Sequence, residues 1–165
     1  TVGSHEPFDR LVRGVDAWCG ARRNRCEVFG QITGRAHYVP KHFRTVPHLS
    51  PAEFAERFRQ ASCIVSHAGM GTIINALVAG KPIAVMPRRG HLRETRNDHQ
   101  YATVRRLKGR AGLLVTETEE DLPMVLDRLL ELRSEGERVS RYADAALIDT
   151  LRETIHGKGG AHGTD

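Results

Sequence analysis

The sequence predicts an α/β fold, a Rossmann-like parallel sheet with helices on both faces. Two observations point there. Short apolar runs alternate with segments whose apolar residues recur at helical spacing, the pattern of strands joined by crossover helices. The clearest run, Cys63-Ile64-Val65, passes through the glycine-rich His67-Ala68-Gly69-Met70-Gly71-Thr72 into Ile73, Ile74, Leu77 and Val78 at helical spacing, which reads strand, glycine loop, helix. The 165 residues suit one domain. It is expected over 1–156, with 157–165 as a disordered tail.

Taken in order, Thr1-Val2-Gly3-Ser4 reads as the end of a strand entering a turn, so the first strand is expected to be truncated. Phe8, Leu11, Val12, Val15, Trp18 and Cys19 define an amphipathic helix from Pro7, with the proline in its first turn. Glu27–Thr33 and His42–His48 read as strands. Ser50-Pro51-Ala52-Glu53 has the capping-box form, and Phe54, Ala55, Phe58 and Ala61 are expected to be the buried face of the helix that follows. Gly80 suits the position just past a helix end, and Pro82–Met86 reads as a buried strand. A polar loop to about Asn97, a helix to Lys108, a strand at Leu113–Val115 and a helix carrying Leu122, Val125, Leu126, Leu129 and Leu130 come next. A last helix is expected over roughly Glu137–Glu153.

Composition narrows the function classes. Hydrophobic residues make up 39%, which excludes disorder across the chain. The longest stretch without Asp, Glu, Lys or Arg, Gln60–Gly80, holds two serines, His67, Thr72 and Asn75, too polar for a bilayer span. Cys19, Cys26 and Cys63 lack CxxC spacing, so no disulfide framework or zinc site is indicated and a reducing cytoplasm is expected. The net charge is +5, and 21 of the 25 basic residues are arginine. That bias suits phosphate or carboxylate partners, and equally reflects genome base composition. Aromatic residues are 5% and do not interleave with the basic ones, so nucleic acid is not an expected partner.

Ligands of open parallel sheets bind beyond the carboxyl ends of the strands. Three loops there stand out: Gly3–Glu6, Ser66–Thr72 and Pro87–Gln100. Gly69 and Gly71 before a helix suit a phosphate at the helix start, or a tight turn alone. Ile74 stands where the dinucleotide fingerprint needs its third glycine and no Walker lysine follows, against NAD and P-loop readings. In the third loop, Glu94, Asn97, Asp98, His99 and Gln100 suit sugar hydroxyls, and Arg88 and Arg89 suit phosphate or a sugar carboxylate. His67, His91 and His99 lie on different loops without metal-ligand spacing, so no metal is expected. No G-x-S-x-G elbow is present, against a hydrolase.

Thr1-Val2-Gly3-Ser4-His5-Glu6-Pro7-Phe8-Asp9-Arg10-Leu11, Ser66–Ile74, Gly80-Lys81-Pro82 and Arg96-Asn97-Asp98-His99-Gln100 together resemble the glycosyltransferase family 28 C-terminal domain. The resemblance is greatest to the single-domain donor-binding subunits of split glycosyltransferases, of the exopolysaccharide and dolichol-linked GlcNAc transferase types. It implies half of a glycosyltransferase-B fold. This half would bind a UDP-sugar and transfer GlcNAc, glucuronate, galactose or glucose, with inversion, to a lipid-linked saccharide acceptor presented by a membrane-associated partner subunit. The chain would then be cytoplasmic, peripheral at the inner membrane face through that partner.

Carried over by position, the resemblance puts Gly3 and Ser4 beside the diphosphate, with Gly69, Met70, Gly71 and Thr72 as its cradle beside His67. Glu94, Asp98, His99 and Gln100 would face the ribose or sugar, with Asn75 where many relatives have an acid. Arg88 or Arg89 would meet the carboxylate of a uronic acid donor. His5 and Glu6 are the candidate bases, unless the partner supplies the base. The alternatives are a UDP-GlcNAc epimerase-like enzyme and a non-catalytic nucleotide-sugar-binding module.

Overall fold

A computed structural model describes residues 1–3, 5–22, 26–96 and 99–134. Among them, strands β1 (Phe29–Gln31), β2 (Arg44–Val46), β3 (Ile64–His67), β4 (Ile83–Met86) and β5 (Leu113–Val115) alternate with helices. These are α1 (Asp9–Ala21), α2 (Pro51–Gln60), α3 (Met70–Val78), α4 (His99–Leu107) and α5 (Leu122–Ser134). All strand pairs are parallel: β1 with β2, and β3-β4-β5 with β4 central. The expected helix over Glu137–Glu153 and the tail lie outside the described residues.

β4 shows why the sheet is covered twice. Each of its residues is buried, as a central parallel strand requires. Ala84 and Met86 face a cluster built from Phe8, Leu11, Val12 and Trp18 of the α1 region and Leu122, Leu126 and Leu129 of α5. Ile83 and Val85 face the opposite cluster, with Ile73 and Leu77 of α3 and Val104 and Leu107 of α4. The period-two alternation of one strand thus feeds two cores. α1 and α5 are also joined by polar contacts, since Asp127 accepts from Trp18 Nε1 at 3.0 Å and Arg22 Nη2 at 2.5 Å.

Three expectations are corrected. α1 starts at Asp9 with Phe8 as N-cap, so Pro7 precedes the helix and its carbonyl is free to accept from Arg88. β1 and β2 cover three residues each instead of seven, paired from Phe29 opposite Arg44 to Gln31 opposite Val46. α2 buries no residue: Ala55 is exposed, and Phe54, Phe58 and Ala61 are half-buried. It lies over a cavity, where Phe54 and Phe58 pack at 5.8 Å and Arg57 stacks on Phe29 at 4.4 Å. Its capping box is nonetheless complete, with Glu53 N donating to Ser50 Oγ and Ser50 N to Glu53 Oε2. Such a cap contributes about 1 kcal/mol. Lys81 Nζ donates to the carbonyls of Arg59 and Ala61 at the other end of the helix.

Candidate functional site

The expected loops meet at the carboxyl ends of the strands. Thr1 N donates to Val65 O at 2.7 Å, and Val2 N to Gln31 O at 3.1 Å, so the opening segment lies between β3 and β1. Gly3 follows with φ of +82°, the left-handed region that disfavours any side chain. Ser4 lies outside the described residues.

His67, at the end of β3, sets the shape of the crevice. A Cβ on Gly69 would lie 2.3 Å from His67 Nε2, and one on Gly3 would lie 3.2 Å from its Cε1. The imidazole is therefore housed between two glycine backbones. Gly69 leaves room for that ring, a steric reason for the glycine that is separate from the phosphate contact the sequence suggests. Gly71 is different. It is exposed, a Cβ there would meet nothing within 4 Å, and its φ is not positive. Glycine in the first turn of α3 costs up to about 1 kcal/mol relative to alanine, with no packing or backbone gain in return. What it leaves is open space at the start of the helix.

That helix start has no side-chain cap and no acidic residue in its first turn. Its leading N–H groups carry the positive end of the helix dipole, the arrangement that attracts anions. Met70 packs its side chain against the α3 core and so offers its backbone here. Asn75 is exposed four residues after Gly71, on the same face of the helix.

The third loop departs from expectation. Arg88 is only 3% exposed, and its guanidinium donates to four carbonyls: Val2 and Glu6 at 2.7 Å, Pro7 at 2.5 Å and Glu94 at 3.0 Å. Burial lowers its pKa from the usual arginine value. Arg88 thus ties the 87–94 loop to the opening segment and has no fork left for a sugar carboxylate. Glu94 accepts a bidentate pair from Arg10, at 2.8 and 2.9 Å, and a third bond from Arg89 N at 2.8 Å. Gln100 is buried, with Oε1 accepting from Arg88 N at 3.0 Å. Arg89 donates to Tyr101 Oη at 3.1 Å and to Glu117 O at 2.6 Å. Arg88, Glu94 and Gln100, expected to meet the donor, here fasten loops together. Long-range partners outcompeted the solvent exposure that a polar loop implies.

His5 and Glu6 are exposed on the loop between Gly3 and α1, and the Glu6 carbonyl is held by Arg88. Asp98 and the side chain of His99 lie outside the described residues. Sequence reasoning missed Arg10, whose partner Glu94 is 84 residues away and leaves no local signal. Burial opposes the charge on Arg10, and the Glu94 and Glu119 carboxylates more than offset it.

A doubly covered parallel sheet with a glycine-lined crevice at its strand ends defines a Rossmann-like domain. The chain belongs to the glycosyltransferase family 28 C-terminal domain family, whose model matches residues 1–154. Its fold is similar to that of the spinosyn forosaminyltransferase SpnP, with a TM-score of 0.55 and 23% identity over 87% of this chain and 33% of that one. A second similar structure is the glycotransferase of kitacinnamycin, with a TM-score of 0.58 and 20% identity over 97% of this chain and 39% of that one. The domain thus spans between a third and two fifths of the glycosyltransferases it resembles. No curated protein matches it. No helix among the described residues is long and apolar enough to cross a membrane.

Proposed function

We propose that this domain holds the nucleotide-sugar donor of a glycosyltransferase, with the diphosphate seated on the first turn of α3. The observation that carries the reading is Gly71, an exposed glycine with open space around it at an uncapped helix start. Backbone N–H groups of Met70, Gly71 and Thr72 would take the phosphate oxygens, and the helix dipole adds about 0.3–1 kcal/mol for an anion. Gly3 brings the opposite backbone close, and His67 braces both glycine loops. Ser4, Asp98 and His99 remain candidates for the diphosphate, ribose and sugar, with Asn75 and Arg89 flanking.

The donor is read as a UDP-hexose. In an inverting displacement, the acceptor hydroxyl attacks the anomeric carbon, loses its proton to a base, and UDP departs with the electron pair of the broken bond. Amides that already hold the diphosphate stabilise the charge growing on it as it leaves. His5 or Glu6, or a group on the acceptor side, would take the proton. Transfer also needs an acceptor surface opposing the donor. That surface is assigned to a membrane-associated partner presenting a lipid-linked saccharide. The family membership supports the donor-binding side of this division of labour.

Calorimetry of UDP against the chain in EDTA tests the reading. Saturable binding of UDP and UDP-sugars, with none of NAD, is expected. A strict need for a divalent ion, or preference for NAD, would overturn it.

A further inference from the structure

Asp16 of α1 is buried and holds the loop between β1 and β2. It accepts from Tyr38 Oη at 2.7 Å, from Lys41 N at 3.0 Å and from His42 N at 2.7 Å, so the loop is pinned on both sides of Val39-Pro40. Earlier on the same helix, Asp9 accepts from His37 N at 3.1 Å, and the Arg13 guanidinium lies 5.1 Å over the Tyr38 ring. Pro40 is buried, whereas Val39, between the pins, is 74% exposed. A side chain held out in water this way adds no burial to the folded domain.

Cations flank this tip. Arg13, Arg35, Lys41 and Arg44 are exposed, and none forms an ion pair among the described residues. Between Glu27 and Glu53 the sequence has no carboxylate. The acids on α1, Asp9 and Asp16, are engaged by the loop itself. Elsewhere the charges are balanced: Arg10, Arg22 and Arg128 each pair with a carboxylate.

We propose that the Val39 loop docks the domain directly onto a bilayer surface rich in anionic lipid. Val39 enters the interface, and Arg13, Arg35, Lys41 and Arg44 meet headgroup phosphates. Guanidinium groups suit phosphate oxygens, and each Lys or Arg near an anionic leaflet strengthens attachment by roughly fivefold. The projecting tip favours lipid over an acidic protein. A fluid interface closes around a single protruding side chain, whereas a protein partner would need a pocket for it. The contact requires no partner subunit. The loop leaves the carboxyl end of β1, the end at which the glycine-lined crevice opens, so docking holds the crevice close to lipid-borne substrates. It stands independently of which donor the crevice takes.

Flotation with phosphatidylcholine vesicles, with and without about 30% phosphatidylglycerol, tests the proposal with no nucleotide present. The chain should float with the anionic vesicles and stay behind with the neutral ones. Changing Arg35, Lys41 and Arg44 together to Gln should weaken binding at least about tenfold, and Val39→Ser severalfold, with Tm unchanged. The matched change of Arg105, Arg106 and Lys108, around the end of α4, to Gln should leave binding intact. Emission from Val39→Trp should be quenched by brominated lipid in the anionic vesicles, against a background from Trp18, which is buried. Equal loss in the two triple variants would reduce the effect to net charge and overturn the proposal. Absence of flotation, or Val39→Trp emission that brominated lipid leaves unchanged, would overturn it too. So would binding of poly-glutamate in preference to the vesicles, which assigns the surface to an acidic protein.

Discussion

Arg88 reaches across 86 residues of sequence to donate its Nη2 to the carbonyl oxygen of Val2 at 2.7 Å. With its bonds to Glu6, Pro7 and Glu94, this makes one buried guanidinium the fastener between the opening segment and the loop after β4. Replacing Arg88 with Met should therefore cost stability, about 3–5 kcal/mol, since several carbonyls lose their donor at once. Urea unfolding measures it. Unchanged stability with a selective loss of UDP-glucuronate binding would instead return the arginine to the donor site.

Gly71→Val should separate binding from folding. The added side chain enters open space, and valine is a better helix residue than glycine, so Tm should hold or rise slightly. UDP affinity should fall at least tenfold, because the branched side chain stands where the phosphate approaches. Calorimetry paired with melting reads both.

Gly69→Ala should behave in the opposite way. Its Cβ meets the His67 ring at 2.3 Å, an overpacking that costs about 1–3 kcal/mol. Adding His67→Ala should recover most of that loss. A double-mutant cycle on unfolding free energies measures the coupling, and additive effects would show that the ring simply swings aside.

Much of the fold could be read from the residues, and much of the site could not. Strands such as Ile83–Met86 and helices such as α1 announce themselves through the period of their own side chains, whatever lies across from them. The face of α2 was misread because burial also depends on what lies beneath a helix, and beneath α2 is a cavity. The loop-fastening roles of Glu94, Arg88 and Gln100 are invisible in the sequence for a related reason. Their partners, Arg10, Val2 and the backbone of Arg88 itself, are fixed by tertiary structure, and polar spacing says nothing of it. The two glycines of the Gly69-Met70-Gly71 turn look alike in sequence. Only the position of the His67 ring separates the structural one from the open one.

Asp16 sets an acid limit to stability. It is 2% exposed and accepts from Tyr38 Oη at 2.7 Å, Lys41 N at 3.0 Å and His42 N at 2.7 Å, tying α1 to the loop before β2. Burial alone would raise its pKa, but these bonds and His42 hold it below the model-compound value of 3.8. A depressed folded pKa means the stabilisation is present above the unfolded value and is lost as pH falls through the folded one. Denaturant midpoints should therefore drop below about pH 4 in the parent chain. Asp16→Asn should be less stable at pH 7 and show a flatter acid limb. An identical pH profile would remove Asp16 from the account.

The seat of the diphosphate on α3 is tested most directly by amide chemical shifts. With UDP added to the 15N-labelled chain in EDTA, the N–H resonances of Met70, Gly71, Thr72 and Gly3 should move together and saturate. The same titration of Gly71→Val should leave them still. Shifts that avoid the start of α3, or that persist in Gly71→Val, would contradict the placement of the donor there.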